Sequence, residues 1–201
     1  MNFTAGAGTN GVTAADLEGD GRTEVAVSLG NGEMILLDER GKIRWKYTWK
    51  PSDPDLVGIY QSGAADINGD GKREIVATTE DGRCLAFAHD GTLLWSADLE
   101  GRANGSPTFL DLNGDGKYEV IVGSTAHVLK ALRGDGTTIW RFKDTGSFYH
   151  TVAADLDGDG LVEVFGTGPG GNWCLRTEMR CKPYEVFWPM QRGDARRSGV
   201  R

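Results

Sequence analysis

Ala64-Ala65-Asp66-Ile67-Asn68-Gly69-Asp70-Gly71-Lys72-Arg73-Glu74-Ile75-Val76-Ala77 is the stretch that decides the fold. A short apolar run enters a turn with two glycines. Oxygen-bearing side chains occupy every second position of the turn, and a second apolar run leaves it. The chain repeats this pattern three more times: AADLEGDGRTEVAV from Ala14, FLDLNGDGKYEVIV from Phe109 and AADLDGDGLVEVFG from Ala153. The leading aspartates, Asp16, Asp66, Asp111 and Asp155, lie 50, 45 and 44 residues apart. Self-similarity at such a period marks a repeat architecture.

The residues on either side of each motif repeat as well. The apolar run after the glutamate (Val25 to Val27, Ile75 to Ala77, Val120 to Val122) leads through a turn into a second strand-like run, such as Met34-Ile35-Leu36-Leu37 or His127 to Leu132. A glycine turn follows at Gly41, Gly91 and Gly136, and four residues later stands Trp45, Trp95 or Trp140. With the short run before each aspartate, every repeat holds four strands. No stretch sustains helical periodicity, and the gaps are too short for helical crossovers between parallel strands. Four antiparallel strands per 40 to 50 residues is the blade of a β-propeller. The reading is therefore an all-β, single-domain chain, 1–201, with four four-stranded blades near 11–50, 60–100, 105–146 and 148–190 and a C-terminal tail at 191–201. The recurring tryptophan is read as a wedge between blades. The fourth repeat lacks the Asp-Gly-x-x-x-Trp ending and runs instead into Tyr184 to Met190, as terminal repeats commonly deviate.

The turns have the chemistry of a hard-cation cage. Positions 1, 3, 5 and 9 offer Asp16, Glu18, Asp20, Glu24; Asp66, Asn68, Asp70, Glu74; Asp111, Asn113, Asp115, Glu119; and Asp155, Asp157, Asp159, Glu163. Position 7 varies (Arg22, Lys72, Lys117, Leu161), as it does when only a backbone carbonyl is used. Oxygen ligands at alternating positions favour calcium. The loop is no EF-hand, because position 12 is Val27, Ala77, Val122 or Gly166 rather than glutamate. Fourteen of the 29 acidic residues sit in these loops, and four calcium ions would move the formal charge from −7 to +1. The expectation is up to four structural Ca2+ ions whose binding energy is largely folding energy. The Asp16 loop, with the longer Glu18, is expected to be the weakest or least regular.

Composition bounds the rest. The acidic balance argues against nucleic acid as the main partner. No run approaches the 18 apolar residues of a membrane span. Met1 to Gly6 has neither the basic start nor the apolar stretch of a signal peptide. The three cysteines are too few for a disulfide framework; a Cys174–Cys181 bridge across a late hairpin stays open, leaving Cys84 as a free buried thiol.

These loops, set in a four-stranded repeat of this length, resemble the FG-GAP repeats of the integrin alpha-subunit propeller and the related bacterial VCBS-type repeats. The Asp-Gly-x-x-x-Trp endings resemble the tryptophan-docking repeat of quinoprotein propellers. The resemblance implies calcium between the first and second strands of each blade, partners on the opposite face, and an extracellular or cell-surface location. Members commonly have seven or eight blades. Four blades here imply a closed four-bladed ring, half of an eight-bladed ring formed by a homodimer, or part of a longer protein.

Two function classes follow. The first is a non-catalytic binding, adhesion or scaffold module taking a carbohydrate or protein ligand on the face opposite the calcium loops. Tyr60, Arg102, Asn104, Tyr149, His150 and Trp173 are its candidate contacts, and no catalytic residue is assigned. The second is a polysaccharide lyase or hydrolase, with Tyr149 and His150 as candidate bases beside Arg102. No catalytic set recurs among the repeats. Arg192-Gly193-Asp194 matches an integrin-recognition tripeptide inside the terminal motif and is read as part of that motif.

Overall fold

The computed structural model describes residues 6–103, 105–143, 145–169 and 171–180, and for 178–180 the backbone alone. The described residues form fifteen strands and no helix. The first sheet runs β1 (Thr9–Ala15), β2 (Glu24–Leu29), β3 (Glu33–Leu37), β4 (Ile43–Thr48). The second runs β5 (Ile59–Ala65), β6 (Glu74–Thr79), β7 (Arg83–Phe87), β8 (Leu93–Asp98). The third runs β9 (Thr108–Leu110), β10 (Glu119–Gly123), β11 (Val128–Leu132), β12 (Thr138–Lys143), and the fourth β13 (His150–Ala154), β14 (Leu161–Gly168), β15 (Gly171–Arg180). Each sheet is an antiparallel meander in sequence order. The fourth sheet has three described strands; Tyr184 to Met190, like Asn104, Cys181 and Arg192 to Asp194, lie outside the described residues.

The second and third strands of the first three sheets are largely buried on both sides, since in a stacked array both faces of a sheet are covered. β6 and β10 are buried along their whole length. Three clusters lie between successive sheets. One packs Met34, Leu36 and Trp45 against Ile75, Leu85 and Phe87. The next packs Cys84, Ala86 and Trp95 against Phe109, Val120 and Leu132. The last packs Ile121, Leu129 and Trp140 against Phe148, Val162 and Val164. A further cluster (Val27, Leu29, Ile35, Leu37) belongs to the first sheet alone, with Ala7 and Val25 at its rim. Among the described residues no cluster joins the fourth sheet to the first. Ala14 is accordingly exposed where its repeat-equivalent Ala64 is buried, and Phe165 on the fourth sheet is 37% exposed.

Two of the recurring tryptophans are wedges with a polar anchor, whereas the buried Trp140 Nε1 has no hydrogen-bond partner among the described residues. Trp45 Nε1 donates to the His89 carbonyl (3.0 Å) and Trp95 Nε1 to the Gly134 carbonyl (2.8 Å), each in the next blade. The fourth strands also share a register shift, between the partners of Leu36 and Leu37, of Ala86 and Phe87, and of Ala131 and Leu132. The extra residue at each bulge is Arg44, Leu94 or Ile139, and a bulge re-aims its side chain.

Candidate cation loops and the opposite face

Each loop joins the first and second strands of its sheet and is wound by its own acids. Asp66 Oδ1 accepts from the Gly69 amide (2.6 Å) and Oδ2 from Gly71 (2.9 Å); Asp16, Asp111 and Asp155 accept from the matching glycines. Gly69 and Gly71 sit at φ 82° and 84°, where a side chain would be strained. The position-5 aspartate accepts from the position-7 amide in every loop (Arg22, Lys72, Lys117, Leu161), at 2.8 to 2.9 Å. The closing glutamate turns back: Oε2 of Glu24, Glu74, Glu119 and Glu163 accepts from the amide of Leu17, Ile67, Leu112 and Leu156.

These bonds leave part of each acidic set facing inward. Glu24, Glu74, Glu119 and Glu163 are all buried. Burial, followed by the neighbouring Asp70 and Asp66, pushes the Glu74 carboxyl up to about 7, and burial raises Glu119 as well. A carboxylate so crowded calls for a positive partner. In loops 2 and 3 an amide is the partner seen: Asn68 Nδ2 bonds Asp70 Oδ2 (3.2 Å) and Glu74 Oε1 (3.1 Å), and Asn113 repeats this at 3.2 Å with Asp115 and Glu119. In loop 4, oxygens of Asp155, Asp157 and Asp159 lie within 4.8 Å of one another, and the buried Glu163 Oε1 has no hydrogen-bond partner among the described residues. The donor set, all oxygen and mostly charged, fits a calcium ion.

Loops 1 and 4 contain something the sequence reading missed. Arg44 forks onto Glu18 (Nη2–Oε1 2.7 Å, Nη1–Oε2 3.2 Å) and reaches Glu24 Oε1 at 3.4 Å. The Arg44 hydrogen bond holds the Glu18 carboxyl below its ordinary range. Arg176 pairs with Asp159, with Asp157 Oδ2 at 3.2 Å and with Glu163 Oε1 at 3.9 Å. Arg44 stands directly before Trp45, where the other repeats have Leu94 and Ile139, and comparing those three positions would have pointed to it.

The other end of the sheets carries the blade connections. Tyr60 opens β5; burial, then the charge of Glu80 and a hydrogen bond to it, raises its hydroxyl above the ordinary value. Arg102 Nη1 lies 3.7 Å from Glu80 Oε1, so Tyr60 and Arg102 meet through an acid that sequence reasoning did not name. Gln61 Nε2 donates to the Asn10 carbonyl (2.7 Å) and Asn10 Nδ2 to the Ile59 carbonyl (3.0 Å), tying the first strands of two blades beside them. Tyr149 and the exposed His150 open the fourth sheet, and the Tyr149 amide donates to Thr167. Trp173 is a packing residue: its ring lies 5.2 Å from Phe148 and crowds Gly146. The described ion pair of the Arg102 side chain is thus with the second blade's Glu80, while its carbonyl accepts from the Thr125 amide (2.8 Å).

A family model for the Lambda-carrageenase beta-propeller domain matches residues 74–155. No curated protein matches the chain. Among solved structures it is similar to BamB from Moraxella catarrhalis, at 17% identity and a TM-score of 0.55 over 82% of this chain and 51% of that one. It is similar to BBS1N in complex with ARL6DN, at 11% identity and 0.62 over 90% and 54%. It is also similar to the exotype rhamnogalacturonan lyase YesX, at 21% identity and 0.60 over 83% and 36%. The chain spans between 36% and 54% of the length of these structures. At such identities the likeness is one of architecture. With the four meandering sheets stacked in sequence order, it makes the chain a β-propeller.

Proposed function

We propose that the chain is a calcium-stabilised propeller module of the FG-GAP/VCBS kind that binds a carbohydrate or protein ligand, without catalysis, on the face of its blade connections. The observation that carries the metal reading is the loop itself. Four copies share one hydrogen-bond scaffold closed by a buried glutamate, and in loop 4 oxygens of Asp155, Asp157 and Asp159 lie within 4.8 Å of one another. Asp16, Glu18, Asp20 and Glu24 and their counterparts would hold the ion together with the carbonyl at position 7. The ion supplies positive charge that lets crowded, buried carboxylates stay ionised. The ligand face is centred on Tyr60, Glu80 and Arg102, a phenol and a charge pair suited to hydroxyl-rich partners. Extracellular placement accords with a calcium-dependent fold. The test is a thermal scan in millimolar calcium against chelator, paired with glycan-array binding under both conditions. A midpoint raised by calcium and calcium-dependent glycan retention are expected. An unchanged midpoint sinks the metal reading.

A second reading has its own support. The match of residues 74–155 to a carrageenase propeller domain, and the likeness to rhamnogalacturonan lyases, favour a place within a larger polysaccharide-cleaving protein. Turnover of an acidic polysaccharide by this chain, abolished in His150→Ala, would put this reading ahead of the first.

A further inference from the structure

The four loops differ in one respect that tracks a residue outside them. Loops 2 and 3 have asparagine at position 3, and the bulge residue of their fourth strand is apolar, Leu94 or Ile139. Loop 1 has the acid Glu18, and its bulge residue is Arg44. Loop 4 has the acid Asp157, and Arg176, opposite Glu163 in the β14–β15 ladder, faces it. An arginine is thus aimed at the loops that carry a fourth carboxylate. Counting only the side chains at positions 1, 3, 5 and 9 together with this arginine, each set sums to three negative charges.

The two arginines bind the groups a cation would use. Arg44 holds the position-3 and position-9 carboxylates of loop 1. Arg176 spans positions 3, 5 and 9 of loop 4. A guanidinium that forks onto a carboxylate is a strong, oriented partner. The position-7 lysine of loop 2 makes no such contact, since Lys72 Nζ is turned to His89 Nε2 at 3.3 Å.

We propose that Arg44 and Arg176 are internal cations of loops 1 and 4, so that calcium is taken up tightly by loops 2 and 3 alone. This inference rests on the calcium reading of the loops. A calcium ion entering loop 1 must displace a guanidinium from two carboxylates, whereas the side-chain partner that Asp70 and Glu74 share in loop 2 is the neutral amide of Asn68. A competing ion pair of this kind weakens binding by up to about fivefold.

The test is calorimetric titration of the full chain with calcium chloride, after chelator treatment, alongside Arg44→Leu, Arg176→Leu, the double variant and Leu94→Arg. Wild type is expected to show two tight sites. Each arginine removal is expected to add one, and the double variant to show four. Leu94→Arg, which leaves the arginines in place and copies blade 1 into blade 2, is expected to remove one of the two. It keeps the test decisive should the arginine variants not fold. Four equally tight sites in wild type, unchanged in the variants, overturn the inference and leave the calcium reading intact. No site in wild type or in the double variant removes both.

Discussion

Glu100 grips Arg141 through two parallel hydrogen bonds, Nε to Oε1 at 2.8 Å and Nη2 to Oε2 at 2.6 Å, across the boundary between the second and third blades. The same carboxylate lies 2.8 Å from Nζ of Lys130, whose ammonium also donates to the Asp98 carbonyl. Lys130 is only 8% exposed, so Glu100 neutralises a charge that water hardly reaches. Glu100 holds this place at φ 63°, a left-handed conformation that a non-glycine residue adopts only when its surroundings repay it.

The Arg141 and Lys130 contacts lower the Glu100 carboxyl from its ordinary 4.5 to about 2. A depressed acid stabilises the fold above its unfolded value and loses that contribution as pH falls through the folded one. Wild type should therefore melt above Glu100→Gln by a constant margin from pH 5 to 8, and the margin should shrink between about pH 4.5 and pH 2. Thermal scans of both proteins across this range check it; a margin that persists at pH 2 contradicts the charge origin.

The inter-blade wedge makes a steric prediction. A Cβ at Gly134 would lie 1.7 Å from the Ile67 carbonyl oxygen, and one at Gly136 2.8 Å from the Trp95 indole. Gly134→Ala should cost about 3 kcal/mol or more, since backbone has to move. Trp95→Ala, which loses packing and the bond to Gly134, should cost roughly 2–4 kcal/mol. Urea unfolding measures both.

Glu74→Gln keeps an oxygen for the Ile67 amide and removes the charge that burial disfavours. In chelator it should melt higher than wild type, and calcium should raise its midpoint less. A wild-type-like calcium response would show that this glutamate is not a ligand.

Cys84 is fully buried and burial pushes its thiol up, whereas Cys174 is exposed with a free thiol. An aromatic disulfide reagent should label Cys174 promptly in the native protein. Cys84 should label only on denaturation, so Cys84→Ala should lower the denatured thiol count and leave the native count unchanged.

The fold was legible in the sequence because its signals are local. Asp-x-x-Gly-Asp-Gly fixes a turn, alternating or continuous apolar runs fix the strands beside it, and the period fixes how many there are. Every strand expected around Asp16, Asp66 and Asp111 is present, although β11 begins at Val128 and leaves His127 before it at φ 66°. The loop scaffold was legible for the same reason. What stayed hidden is non-local. Arg44 is 26 residues from Glu18, and only a bulge in the fourth strand brings them together. Glu80 likewise joins Tyr60 to Arg102 from outside the repeated motif, and the ring contact of Trp173 with Phe148 links residues far apart in the sequence.

Loops 1, 2 and 3 are also joined to one another. The Arg73 amide of loop 2 donates to the Leu17 carbonyl of loop 1 (2.9 Å), and the Tyr118 amide of loop 3 to the Asp66 carbonyl of loop 2 (3.1 Å). The atoms that shape one cage therefore also clasp the next, like the overlapping links of a belt. A shift at one of these three buckles has a backbone bond through which to reach its neighbour.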